Sequence, residues 1–501
     1  MARYKHTEAE YGQGLFLTVN LKEQLLPGTF EYMLDDLIGK KIDISMFDGN
    51  YKNDLTGASA IPPRVLIKLI IYGYSKGVSS SRGIAELSRN NMTGKALAED
   101  MEPHWTTVAG FISSNSEMFK KTFVKVLLYC AELGLIGGRT FAIDGCRMPS
   151  NASLELTGTS GGLEQKLKVY RKMAQRHVEK HRRRDERGEN DEATEQHYHE
   201  RQKKLSRHIE KISAFLEGME KKEGKRGKET RSNVTDNESA LIYDSKRYIQ
   251  GYIGLAVVDE KEQIIVSAEA VGTAYEGPHF PQMLDSASAN LDKAGAKKKP
   301  KRTILADKGY FSEENLKASR ERGVEAIIAD QQYKNRFGKD GEKRYESDDF
   351  KYHSKGDYYT CPNGKRLACK GPDSIGGHEG KRYWASVKDC RVCPLAMKCL
   401  KSKKEPRALT QGRGLFISEG NRAGSLICKL RKKLNTQEYQ DRYAYRVQII
   451  EPVFSNITYC KRLDRFSLRG KDKVNGQWQL FCMVHNLGKC LKGYNKRKGY
   501  A

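Results

Sequence analysis

The 501-residue sequence predicts a mixed α/β chain in which helices precede a sheet and two insertions interrupt it. Three observations carry that expectation. Apolar runs end in a lone aspartate at Phe141-Ala142-Ile143-Asp144-Gly145 and again at Thr303-Ile304-Leu305-Ala306-Asp307-Lys308-Gly309, the pattern of buried strands that leave a sheet at a carboxylate. Between them Leu205, Ile209, Ile212, Leu216 and Met219 recur at steps of four and three, the spacing of a coiled-coil seam. Further on, five of the eleven cysteines fall between residues 361 and 399.

The net charge of +26 points to a polyanionic partner, and nucleic acid is the usual one. No apolar run approaches the roughly 20 residues of a membrane helix; Val65 to Ile71 is short and carries Lys68. The N-terminus lacks the order of a signal peptide, so a cytoplasmic, nucleoid-associated protein with no membrane contact is expected. In a reducing compartment clustered cysteines point to metal rather than disulfides.

Residues 1–135 read as helical. Pro62-Pro63-Arg64 opens a helix through Val65, Leu66, Leu69, Ile70 and Tyr72; Ser79-Ser80-Ser81 supplies capping chemistry for a second; Pro103 to Thr107 precedes a third. Such helices form either a helix-turn-helix DNA reader or a plain bundle. Residues 162–226 read as an antiparallel helical hairpin, with Leu163, Leu167 and Tyr170 on the first arm and a break at Gly188-Glu189-Asn190. Arg182-Arg183-Arg184 would contact DNA or a second copy, unless the hairpin is a solvated spacer.

The sheet is assigned to 136–335 and 411–491. Tyr252 to Val258 and Gln263 to Val271 predict a strand hairpin, followed by a helix through Phe280 and Leu291, a strand at 303–306, a helix from Ser312 and a strand at 325–329. With the Asp144 strand first, that is the order of an RNase H-like mixed sheet, which sets the two aspartates on adjacent strand ends. An Asp-Gly after an apolar run is most often only a turn, and Asp330 closes a similar run. Residues 340–410 are polar and glycine-rich. Cys390, Cys393, Cys399 and Cys361, with Cys369 as an alternative, offer four thiolates for a structural zinc ion. Helices follow at 426–434 and 439–459, then a last helix near 477–491 and a mobile basic tail at 492–501.

Asp144-Gly145, Ala306-Asp307-Lys308-Gly309-Tyr310, and Tyr443-x-x-Arg446 followed by Glu451-Pro452-Val453-Phe454 stand in an order that resembles the DDE transposases of bacterial insertion sequences. The likeness extends to Arg147 to Ser153, Gly251-Tyr252 and Arg469-Gly470, and spans most of the chain from about residue 60 to 490. It implies an RNase H-like catalytic domain in which Asp144, Asp307 and Glu451 hold two Mg²⁺ (or Mn²⁺) ions. It also implies that Tyr443 and Arg446 contact the DNA backbone, that residues 1–135 read the terminal inverted repeats, and that a homodimer joins two ends to target double-stranded DNA. Similar transposases carry a Cys-rich insertion before the catalytic glutamate. The family lysine seven residues after that glutamate is Thr458 here, with Lys461 and Arg462 as substitutes. The alternatives are a DNA-binding repressor derived from an inactive transposase and a metal-dependent nuclease of the same fold.

Overall fold

A computed structural model describes residues 19–51, 59–188, 191–224, 227–244, 247–296, 301–330, 333, 345–375, 378–400, 409–418 and 425–500. The expected hairpin break at Glu189-Asn190, and residues 1–18, 225–226, 334–344 and 401–408 of the expected regions, lie outside the described residues.

Helices α1 (Phe30–Leu37), α2 (Pro63–Ser75), α3 (Ser81–Asn90), α4 (Met92–Leu97), α5 (Trp105–Ser114) and α6 (Ser116–Glu132) come first. Proline at the first helical position starts α2, and the Ser80 hydroxyl accepts the Gly83 N–H to start α3. α2 is buried on every side from Val65 to Tyr74. Its one buried charge, Lys68, is paired with Asp35 at 2.7 Å and Glu99 at 3.0 Å. These helices share one continuous apolar core with the sheet and the last helix, so the N-terminal region has no separate core of its own.

The sheet begins with β1 (Thr140–Pro149). A helical hairpin follows, α7 (Ser160–Asp185) and α8 (Glu192–Glu217), before β2 (Ala240–Asp244), β3 (Arg247–Asp259) and β4 (Ile265–Val271). In the hairpin Leu205 and Ile212 bury against Leu163, Leu167 and Tyr170, while Met219 lies beyond the end of α8 and packs on the same cluster. β1 pairs antiparallel with β3, whose other edge carries β4 and β2. On its second side β1 runs parallel to β5 (Arg302–Ala306), and β5 parallel to β6 (Val324–Ile328). α9 (Phe280–Lys293) and α10 (Glu313–Glu321) make the crossovers. Contrary to the expectation of a short strand, β1 does not end at Asp144. Gly145 to Pro149 continue it because they pair with Leu255 to Gly251.

The Cys-rich region is a second sheet, with its own small core of Phe350, Tyr359, Leu367, Tyr383, Leu415 and Ile417. Five antiparallel strands follow one another: β7 (Lys351–His353), β8 (Tyr358–Thr360), β9 (Arg366–Ile375), β10 (His378–Ala385) and β11 (Gly414–Ser418). It reaches past residue 410, because Leu415 and Ile417 alternate inward on a strand paired with β10. Short helices α11 (Val387–Arg391) and α12 (Ala396–Cys399) lie between β10 and β11.

α13 (Leu426–Leu434), α14 (Gln437–Ser455) and α15 (Lys471–Lys498) complete the chain. α15 fastens to the sheet through polar side chains: the Trp478 indole N–H donates to the Leu255 carbonyl at 2.9 Å, and the Asn486 amide brackets the Ile265 backbone at 2.9 and 2.8 Å. The helix is longer than expected at both ends. Residues 492–498 are helical rather than a mobile tail, because Tyr494 is buried and its hydroxyl donates to Asp36 at 2.8 Å. Among the described residues no helix is long and apolar enough to cross a membrane.

Candidate active site

The parallel register of β1 and β5 ends at the pair Ile143 and Ala306. The next residue on each strand is an aspartate, so Asp144 and Asp307 emerge side by side where the two strands part. One oxygen of each is tied to a backbone N–H, Gly145 to Asp144 at 2.8 Å and Gly309 to Asp307 at 2.7 Å. These bonds fix both carboxylates in place.

A third carboxylate meets them, and sequence reasoning missed it. Glu276 lies between β4 and α9, is 5 % exposed, and offers an oxygen that lies with one from each aspartate within 4.8 Å of one another. It stands at the start of a short helical turn and accepts no cap hydrogen bond there. Oε2 is buried with no hydrogen-bond partner among the described residues. Burial, then Asp307 and Asp144, push its carboxyl up to about 7. Two glycines make room for it. A Cβ on Gly145 would stand 3.0 Å from Glu276 Oε2, and one on Gly309 would stand 2.8 Å from Oε1. The Tyr310 hydroxyl, fully buried beside the same three acids, also lacks a partner among the described residues. A glutamate after a strand and before a helix has no periodicity to distinguish it; Gly145 and Gly309 were the available signal, and they read as turn residues.

α14 supplies the positive charge. Arg446 Nη1 donates to Asp144 Oδ2 at 2.7 Å, and its Nε is buried without a hydrogen-bond partner. Tyr443, one turn earlier, is edge-on to Tyr333 with ring centroids 5.0 Å apart. Glu451 is exposed and lies outside the acidic group. Five residues after Arg446 it is turned about 140° around the helix, away from the face that meets Asp144. The Thr458 hydroxyl bonds back to the Phe454 carbonyl at 2.9 Å. A wide π-turn at Asn456–Cys460 ends the helical run, so Lys461 and Arg462 do not continue its face. Lys461 turns inward onto Asn456 Oδ1 at 2.6 Å, whereas Arg462 stays exposed. Asp330 is occupied by Arg431 at 2.9 Å.

The Transposase DDE domain family matches residues 360–491, and the Transposase domain (DUF772) family matches residues 19–114. Both matches are to transposase families and support an insertion-sequence DDE transposase. No curated protein matches the chain. The first match covers Tyr443, Arg446 and Glu451 together with the five clustered cysteines, and the two aspartates precede it in the chain.

Cys361, Cys390, Cys393 and Cys399 line one small cavity of the second sheet; Cys369, on β9, is not among its lining residues. The turn at Cys361-Pro362-Asn363-Gly364-Lys365 closes with the Lys365 N–H on Cys361 Sγ at 3.3 Å. The Arg413 N–H donates to Cys390 Sγ and the Asn363 side chain to Cys393 Sγ, both at 3.4 Å. Donors aimed at sulfur suit thiolates. Burial raises the thiols of Cys390 and Cys399, the latter to about 11, and a bound cation would reverse that preference.

Proposed function

We propose that the chain cleaves DNA at the ends of its own insertion sequence and joins them to target DNA, at a divalent-metal centre built on Asp144 and Asp307 in an RNase H-like core. The observation that carries this reading is the pair of aspartates side by side where the parallel pairing of β1 and β5 ends, with Glu276 Oε2, the Tyr310 hydroxyl and Arg446 Nε buried beside them without partners among the described residues. Hard carboxylate oxygens are the donor set that Mg²⁺ or Mn²⁺ takes. Two such ions supply an acidified water and a stabilised leaving oxygen for in-line displacement at a phosphodiester.

The protein's own groups do the positioning. Backbone N–H bonds hold Asp144 and Asp307, and Arg446 holds Asp144 from the α14 side. Glu451, exposed on the same helix, serves as the late acidic residue once DNA lies along α14, with Tyr443 and Arg462 beside the backbone. Arg446 turns from Asp144 toward a backbone phosphate when the acids are neutralised. A freed 3′-hydroxyl then takes the place of water as nucleophile, so one site serves cleavage and joining.

We also propose a structural zinc ion on Cys361, Cys390, Cys393 and Cys399, supported by their shared cavity and the N–H donors on three of the sulfurs. The helical region 1–135 reads the terminal repeats, and two copies pair two ends on the nucleoid. The test is incubation of a DNA fragment carrying the gene's flanking ends with the protein, Mg²⁺ and a target plasmid. Joined products that disappear with Asp144→Asn, Asp307→Asn and Glu451→Gln, while end binding persists, support the reading. Cleaved ends without joined products would favour the nuclease instead.

A further inference from the structure

We infer that Glu276 is a metal ligand, the third carboxylate of the centre formed by Asp144 and Asp307 in the DNA-free protein. The inference rests on the metal reading above and goes beyond it, because it assigns a residue from outside the aspartate, aspartate and late glutamate set.

Four features of Glu276 converge. Its side chain accepts no hydrogen bond from the short turn that follows it and lies with the two aspartates. It is 5 % exposed with Oε2 unpartnered among the described residues, a costly state for a carboxylate unless a cation meets it. Arg446 is spent on Asp144, and Arg147, the other guanidinium of the region, is exposed and donates to the Tyr243 carbonyl at 3.3 Å. Both glycines that flank the aspartates, Gly145 and Gly309, leave the space its oxygens occupy. A carboxylate that served only packing would have no need of two missing side chains around its charged end. Three acids and one paired arginine leave a surplus of negative charge around a buried carboxylate, which suits divalent cations. Glu451, exposed on α14, is outside this set, so cation binding in the absence of DNA does not involve it.

The test is calorimetric titration of Mn²⁺ into the DNA-free full chain, for wild type, Asp144→Asn, Asp307→Asn, Glu276→Gln and Glu451→Gln. The aspartate variants and Glu276→Gln are expected to bind Mn²⁺ about tenfold or more weakly, and Glu451→Gln with wild-type affinity. Glu276→Gln keeps the shape of the side chain, and its melting temperature in EDTA is expected to equal or exceed that of wild type. Glu276→Asp, with the carboxylate withdrawn by one methylene, is a second variant with intermediate affinity expected. Wild-type affinity in Glu276→Gln, with the aspartate variants impaired, would overturn the inference and leave the metal reading standing. If wild type took up no Mn²⁺, or the aspartate variants bound it normally, the metal reading itself would fall, and this inference with it.

Discussion

Arg446 and Asp144 form a 2.7 Å ion pair between α14 and β1, across 302 positions of sequence. The arginine thereby supplies, without any metal, the positive charge that the acidic group lacks. Replacing Arg446 with Met should destabilise the metal-free protein by about 2 kcal/mol, the scale of a lost hydrogen bond to a charged group. Unfolding in EDTA and in Mn²⁺ checks this, and the deficit should shrink in Mn²⁺. An equal deficit in both would mean that Arg446 acts by packing alone.

The glycines beside the aspartates are a second lever. At Gly145 a Cβ would lie 2.5 Å from Ile253 and 3.0 Å from Glu276 Oε2. Gly145→Ala should therefore cost about 1–3 kcal/mol, as overpacking does, and weaken Mn²⁺ binding as well. Denaturant unfolding and calorimetry read the two effects separately. Unaltered stability would contradict the close approach.

Both aspartates were legible in the sequence because each follows a locally visible apolar run, although β1 continues past Asp144. Their adjacency was legible because strand order follows from alternating strand and helix signals. The seam at Leu205 and Ile212 was legible for the same reason of local period. The nearness of Glu276 to the two aspartates was not, since it depends on neighbours more than 30 positions away on both sides of the chain. The second sheet was also hidden: its strands expose one face, so alternation of Tyr359, Leu367 and Tyr383 with polar residues reads as a polar loop. The helical end of α15 was masked by its lysines, although Tyr494 carries the packing signal.

Zinc gives a prediction that separates the cysteines. Metal analysis of the purified chain should find one zinc ion, lost in Cys390→Ser and Cys393→Ser and kept in Cys369→Ser. Protease sensitivity of the second sheet should rise with the loss. Zinc lost through Cys369→Ser would reassign the fourth ligand.

His485, on α15, is buried with one ring nitrogen 3.0 Å from the Gln263 carbonyl, and burial pushes its imidazole down to about 3 from an ordinary 6.5. Below pH 6.5 the unfolded chain takes up a proton that the folded chain refuses until about pH 3. Stability should therefore fall on acidification across that window, by at most about 1.4 kcal/mol per pH unit. Denaturant midpoints at about pH 7 and pH 5 should separate more in wild type than in His485→Gln. Equal separations would show that His485 is charged in the fold.

The most direct test of the metal centre replaces one hard ligand by a soft one. Asp307→Cys should lose cleavage of insertion-sequence ends in Mg²⁺ and recover it in Mn²⁺, because a thiolate serves Mg²⁺ poorly. Full activity of Asp307→Cys in Mg²⁺ would contradict the account, since the carboxylate at that position would then not hold the cation on which cleavage depends.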